Sequence, residues 1–338
     1  MWRPDGSSAF TRTPSGPGDA AGRPASFPGK IVLAPAVRRV FPPAERAEVT
    51  AVACERTRES GQPLSRQSVE DVRRRVVASH DISMSRSTVW RLLGQAAIKP
   101  WQYRYWIFPR DPQFVSKASR VLDLYAGVWE GEPLGPKDFV ISSDEKTSIQ
   151  ARRRIHPSLA PAAGRPQRVA FEYARGGALQ SLAAWDVFRG IAMGRCEPTT
   201  GIDSFMRLVD QVMTQEPYCS AKRVFWVVDN GSSHRGQTAC DRLKKAWPNA
   251  VMVHTPVHAS WLNQVEIDFS IVQRKVLTPN DFTSLDEVAE RLLQFQDAIN
   301  ADPRPFTWNY TRTKLRDFIK RLNRRLTAAG RPKLSLQV

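Results

Sequence analysis

The sequence is poor in the residues that staple or cage a fold. Its four cysteines, Cys54, Cys196, Cys219 and Cys240, are far apart and form no Cys-x-x-Cys pair. That spacing argues against a disulfide framework and a zinc knuckle, and it fits a reducing cytoplasm. No apolar run is long enough to span a bilayer, and the first residues lack the apolar core of a secretory signal, so neither a membrane nor a secreted role is expected. Acid is also scarce. Against 50 Lys and Arg there are 33 Asp and Glu, a formal net charge of +17. A balance that basic points to a polyanionic partner, most simply nucleic acid. What is present is enough apolar residue, 41% of the 338, to bury a core, and enough length for two domains.

Four stretches divide the chain. Residues 1–36 are rich in Pro, Gly, Ser and Ala without apolar periodicity and read as a disordered tail. Residues 37–112 read as a helix-turn-helix domain. A helix over 44–60 carries Val49, Val52 and Ala53 on one face. A second follows a Ser65 cap, with Val69, Val72, Val76 and Val77 inward and Arg66, Arg73, Arg74 and Arg75 outward. The third, Ser85 to Leu93, puts Val89, Leu92 and Leu93 inward and Arg86, Ser87, Thr88 and Arg91 outward, the pattern of a recognition helix. An ordinary small bundle with a solvated basic face fits the same pattern. Lys99 to Trp106 interleaves aromatics and cations, Arg104 among them, suited to a DNA backbone or to packing of the connector. Residues 113–136 read as a connector, with an amphipathic helix over 114–129 and then a Gly/Pro linker.

Residues 137–338 form the second domain. Asp138 to Ile149 reads as a strand. Arg168 to Arg175 and Ala178 to Phe188 read as two more, joined by a turn at 175–177. Helices over 200–213 and 237–246 flank the apolar run Arg223-Val-Phe-Trp-Val-Val228, which has the composition of a strand buried on both faces. A short strand over 251–254 follows. The order β-β-β-α-β-α-β-α resembles the ribonuclease-H-like fold, an α/β architecture with a mixed sheet and flanking helices. Beyond it lie helices over 285–299 and 314–328, the last strongly basic and able either to cover the sheet or to contact DNA.

Three acids stand out by position. Asp229 follows the buried strand directly, where ligand chemistry collects in open α/β sheets. Asp144 and Glu145 are strand neighbours and point to opposite faces; Asp144 shares its face with Ser142 and Lys146 and is the better ligand. The helix expected over 260–276 has Leu262, Val265, Phe269, Val272 and Val276 as its buried stripe. Glu266 lies beside that stripe, with Asn263, Ser270 and Gln273, whereas Asp268 is roughly 200° away around the helix and cannot share a small site with it. Taken singly, each acid is as well explained as a helix cap or a surface group.

Together, Ile-Ser-Ser-Asp144-Glu, Val-Val-Asp229-Asn-Gly-Ser-Ser-His and His-Thr-Pro-Val-His-Ala-Ser-Trp-Leu-Asn-Gln-Val-Glu266 resemble the three signature blocks of the DDE transposases, in the branch of bacterial insertion sequences related to mariner. The 37 positions between Asp229 and Glu266 are close to that branch's spacing. The resemblance covers about residue 41 onward. It implies that Asp144, Asp229 and Glu266 are catalytic and bind two Mg²⁺ or Mn²⁺ ions, hard cations suited to oxygen ligands. It implies phosphodiester hydrolysis at element ends, then strand transfer into target DNA by the freed 3′-hydroxyl. The partner is then double-stranded DNA, at element ends and target. The protein is expected to be a cytoplasmic, nucleoid-associated homodimer with no small-molecule cofactor. Asn230, His234, His258 and Asn263 neighbour the acids in sequence and are candidates to orient water or phosphate; a satisfied structural role fits each as well. Family members usually carry two helix-turn-helix units, and only the second is recognisable here, as expected of a shortened or mis-started copy. Two rival readings stay open: a catalytically inactive relic that only binds DNA, and a ribonuclease-H-like nuclease without strand transfer.

Overall fold

The computed structural model describes residues 40–103, 108–328 and 330–334, which fall into two compact units that divide between residues 105 and 106. The expected tail, 1–36, and Arg104 lie outside the described residues.

The first unit holds three helices, α1 (Pro43–Cys54), α2 (Val69–His80) and α3 (Arg86–Gln95). Val49, Val52, Val72, Val76, Val89 and Leu93 make its core. The start of α2 differs from expectation. Ser68, not Ser65, is the cap: its hydroxyl accepts the Asp71 N–H at 3.2 Å, and the Asp71 carboxylate accepts the Ser68 N–H at 2.8 Å. This reciprocal capping box satisfies two otherwise orphaned donors, which Ser65 has no partner to do. Ser85 caps α3 through the Thr88 N–H.

In the second unit, α4 (Phe114–Tyr125) is shorter than the helix expected to Trp129. Gly127 takes a left-handed turn, and the chain makes a two-stranded ribbon, β1 (Val128–Trp129) and β2 (Glu132–Pro133), turned by left-handed Glu130 and Gly131. The main sheet then follows: β3 (Asp138–Arg154), β4 (Tyr173–Asp186), β5 (Ile191–Glu197), helix α5 (Ile202–Met213), β6 (Arg223–Val228), helix α6 (Gly236–Ala246) and β7 (Ala250–His254). Strand order is β5-β4-β3-β6-β7; the first three strands pair antiparallel, and β6 and β7 join β3 in parallel.

Gly176 and Gly177, expected to turn between two strands, lie inside β4. Pairing with β3 slips between Gln150 and Arg152, so the glycines serve a bulge. The real turn follows β4, where the Asp186 carboxylate accepts the N–H groups of Phe188 and Arg189. The third antiparallel strand is therefore β5.

Both sheet faces are covered. Ile141, Val224, Trp226 and Val228 face α5 and Leu243 of α6. Val140, Phe225 and Val227 face Val121 and Leu124 of α4 and Val265 and Phe269 of the helix that follows β7. All five residues from Val224 to Val228 are wholly buried, as a central parallel strand requires. The helix expected from Ser260 is interrupted. Ser260–Leu262 makes one 3-10 turn, and α7 (Val265–Lys275) starts only at Val265. Helices α8 (Leu285–Asn300) and α9 (Arg312–Ala328) complete the unit; α8 packs beside β5 and α9 beside α4. Among the described residues no helix is long and apolar enough to cross a membrane.

Candidate active site

Strand pairing puts two of the acids side by side. The last paired positions of β3 and β6 are Ser142 and Val227, and Asp144 and Asp229 each stand two residues beyond. Two residues along a strand restores the same face. Ser142 and Val227 face α4 and α7, so both carboxylates start out toward α7, and Glu266 lies in the first turn of that helix.

The sequence folds this way because the start of α7 is fastened to β3. The Ser142 hydroxyl accepts the Val265 N–H at 2.9 Å and bonds to the Asn263 side-chain oxygen. Asn263 donates to the Ser143 carbonyl at 2.8 Å, and the Tyr125 hydroxyl donates to the Leu262 carbonyl at 3.0 Å. Asn263 also has its amide nitrogen 3.5 Å from an Asp144 oxygen. Of the two roles open to Asn263, its contacts fit the structural one: it is a buried staple at the start of α7, beside Asp144.

Asp144 sits within the field of the other acids. Burial, then the charge of Asp229, and with smaller weight those of Glu266 and Glu145, push the Asp144 carboxyl up to about 7, against the Glu145 N–H that it accepts at 2.8 Å. Asp229 goes the other way. Its Oδ1 lies 2.6 Å from His234 Nε2 and accepts the Gly231 N–H at 2.6 Å, and the His234 bond holds its carboxyl below the ordinary range despite burial.

His234 is wholly buried and held on every side. Its Nδ1 lies 2.9 Å from the Ser233 hydroxyl, which donates to Glu145 at 2.8 Å, and its carbonyl is 2.6 Å from His254 Nε2. The loop from Asp229 to His234 is a closed knot. A Cβ on Gly231 would stand 3.0 Å from both the Asp229 carboxylate and the His234 ring, so any larger residue would press on that hydrogen bond. Sequence reading missed Ser233 and His254 and gave Glu145 no partner; it accepts from the Ser233 hydroxyl. The signal for Ser233 is its place beside the histidine; for His254 there was none.

The other candidates lie elsewhere. Asn230 donates to the Thr255 carbonyl at 2.8 Å and ties the loop to the end of β7. His258 is exposed in left-handed backbone and makes no hydrogen bond with another described residue. Asp268 is as far from the acid group as the helix geometry requires, yet it is buried, and burial pushes its carboxyl up to about 6.

In the first unit, Arg86 and Ser87 are exposed and Arg91 is half-buried. Thr88, expected to face outward, is buried: its hydroxyl lies 3.0 Å from that of the cap Ser85 and accepts from Arg91 at 3.2 Å. Trp90 takes its place on the exposed face with 60% of its surface accessible.

Among the described residues, no three His, Cys, Asp or Glu side chains are drawn together tightly enough to hold a metal ion as they stand. Burial first, and then the neighbouring negative charges, disfavour the ionised form of Asp144, which a bound cation would favour. The donor set itself fits a hard divalent cation: carboxylate oxygens from three elements, with no thiolate among them.

Residues 140–289 match the family model described as a DDE superfamily endonuclease. No curated protein matches the chain. Among solved structures, the Mos1 mariner paired-end complex with Mn is similar over 77% of this chain and 74% of its own, at 15% identity and a TM-score of 0.50. The Mos1 transposase paired-end complex with left transposon end is similar over 88% and 82%, at 14% identity and a TM-score of 0.50. The sheet order and flanking helices are those of the ribonuclease-H-like fold of these structures.

Proposed function

We propose that this chain, whose residues 140–289 match the DDE superfamily endonucleases, belongs to that superfamily and is a DNA transposase. It cuts a phosphodiester at the end of a mobile element and joins the freed 3′-hydroxyl to target DNA. Asp144, Asp229 and Glu266 are its catalytic and metal-binding acids. The observation that carries this reading is the placement of the three acids: Asp144 and Asp229 each stand two residues past the last paired positions of neighbouring parallel strands, and the start of α7, which bears Glu266 in its first turn, is fastened to β3 through Ser142 and Asn263. Two Mg²⁺ or Mn²⁺ ions bound there would neutralise the acids, act as Lewis acids on the scissile phosphate and lower the pKa of the attacking hydroxyl or water. The chain's own part is positional. His234 and the Gly231 N–H fix the rotamer of Asp229, the Asn263–Ser142 staple fixes the start of α7, and no side chain serves as a covalent nucleophile.

The Mos1 complexes carry paired transposon ends, which supports duplex DNA as partner and a homodimer as the working form. The excess of base over acid supports the same partner and a nucleoid-associated place in the cytoplasm. Residues 37–112 act as a helix-turn-helix element for the ends, with Arg86, Ser87 and Arg91, and Arg104 further along the same stretch, as DNA contacts. Residues 113–136 are the connector and 137–338 the catalytic domain. The test is Mg²⁺-dependent nicking of element-end DNA by the Asp229→Asn variant. Abolished nicking supports the assignment, and unchanged nicking overturns it. A joining assay on the same substrate separates strand transfer from simple hydrolysis.

A further inference from the structure

Helix α9 has a finished inner face and an unfinished outer one. Leu315, Ile319, Leu322 and Leu326 are buried at spacings of four, three and four. Leu315 and Ile319 pack with Phe114, Val115 and Leu122 and with Ala259 and Leu262, ahead of α7. Arg312 is spent on Asp123 at 2.7 Å. On the outer arc, Lys314, Arg316, Lys320, Arg321 and Arg324 are all exposed, and Asp317 is the one acid among them. None of these five cations makes an ion pair or side-chain hydrogen bond with another described residue.

Like charges four residues apart on a helix repel by a few tenths of a kcal/mol each, roughly 0.2–0.5, and Arg316, Lys320 and Arg324 form such a row. Folding the domain gains nothing from this arrangement; a polyanion laid along it does. From Lys314 to Arg324 the helix rises about 15 Å. Duplex DNA presents one charge per roughly 1.7 Å of its axis, so the two charge densities suit each other. The apolar face is already used inside the domain, so α9 has none to sink into a lipid interface.

We propose that the outer face of α9 grips the phosphate backbone of duplex DNA, as a contact surface of the catalytic unit separate from the acid cluster and indifferent to base sequence. Its inner face packs on Leu262, four residues before Glu266 in the chain, which suits DNA flanking the reacting phosphodiester. This rests on the transposase reading and adds a surface to it.

The experiment uses the full chain and a short duplex of random sequence. The triple variant Lys320→Gln, Arg321→Gln, Arg324→Gln keeps its far-UV circular dichroism but loses affinity, and the slope of log K against log salt shrinks by about 2–3. In the wild-type chain, the duplex shields Lys314 and Lys320 from acetylation, read by mass spectrometry; this measurement decides the matter if the triple variant does not fold. An unchanged slope together with unshielded lysines overturns the proposal. So does shielding by phosphatidylserine vesicles but not by duplex. The surface and the chemistry fail separately: a chain that nicks element ends with an unchanged slope refutes only the surface, and one that binds through α9 but never nicks in Mg²⁺ or Mn²⁺ refutes only the transposase reading.

Discussion

His234 Nε2 stands 2.6 Å from Asp229 Oδ1, while its Nδ1 stands 2.9 Å from Ser233, which donates to Glu145. A buried imidazole therefore braces a proposed metal ligand from behind. His234→Ala should lower Mg²⁺-dependent nicking by about 10–100-fold, the range for removing a partner that orients a ligand. Titrating activity against Mg²⁺ checks it: the half-saturating concentration rises, and excess Mg²⁺ restores part of the rate.

Glu266 and Asp268 are both acids on α7 and should behave oppositely. Glu266→Gln should cut nicking by at least about 10³-fold, equivalent to roughly 4 kcal/mol of lost transition-state stabilisation. Asp268→Asn should leave nicking intact. It should also be neutral or stabilising by up to about 2 kcal/mol in urea unfolding at neutral pH, because it removes a buried carboxylate that no described residue hydrogen-bonds.

Asp138 accepts two bonds from the Arg223 guanidinium, at 2.9 and 2.8 Å, which hold its carboxyl below the ordinary range. A depressed pKa adds stability above the unfolded value of 3.8 that is lost as pH falls through the folded value. Asp138→Asn should therefore cost about 2–3 kcal/mol at pH 7. The gap from wild type should close in melts run below the ordinary carboxylate range.

Gly190 is left-handed at φ 68°, and a Cβ there would lie 2.3 Å from the carbonyl carbon of Arg304 and 2.5 Å from the nitrogen of Pro305. Both are backbone atoms, so nothing rotates out of the way. Gly190→Ala should destabilise by roughly 2–4 kcal/mol, from backbone strain added to the clash. The urea midpoint should fall, and the Trp185–Phe306 stack that follows Pro305 should loosen, which tryptophan fluorescence reports.

Arg86 and Thr88 should separate binding from stability in the first unit. Arg86→Ala should weaken binding to element-end duplex by about 1–3 kcal/mol with an unchanged melt, as expected of an exposed arginine on a reading helix. Thr88→Ala should lower the melting temperature instead, because Thr88 is buried against the Ser85 cap.

The sequence by itself determined most of the elements and the choice of candidate acids. β6 was legible because Val224 to Val228 is apolar on both faces, and Asp229 because it ends that run. The choice of Glu266 over Asp268 followed from helical angle alone, and that of Asp144 over Glu145 from strand parity. Periodicity is a local property, so it survives without coordinates. What only the tertiary structure decided depends on contacts between residues far apart in the chain. Gly176–Gly177 read as a turn because two glycines look alike in a turn and in a bulge; the partner strand made them a bulge. Ser68 displaced Ser65 as a cap because Asp71 answers it. The burial of Thr88 and Asp268, the staple through Asn263 and the brace from Glu145 to Asp229 join residues that no spacing rule links, and only the packed sheet brings them within hydrogen-bond or contact range.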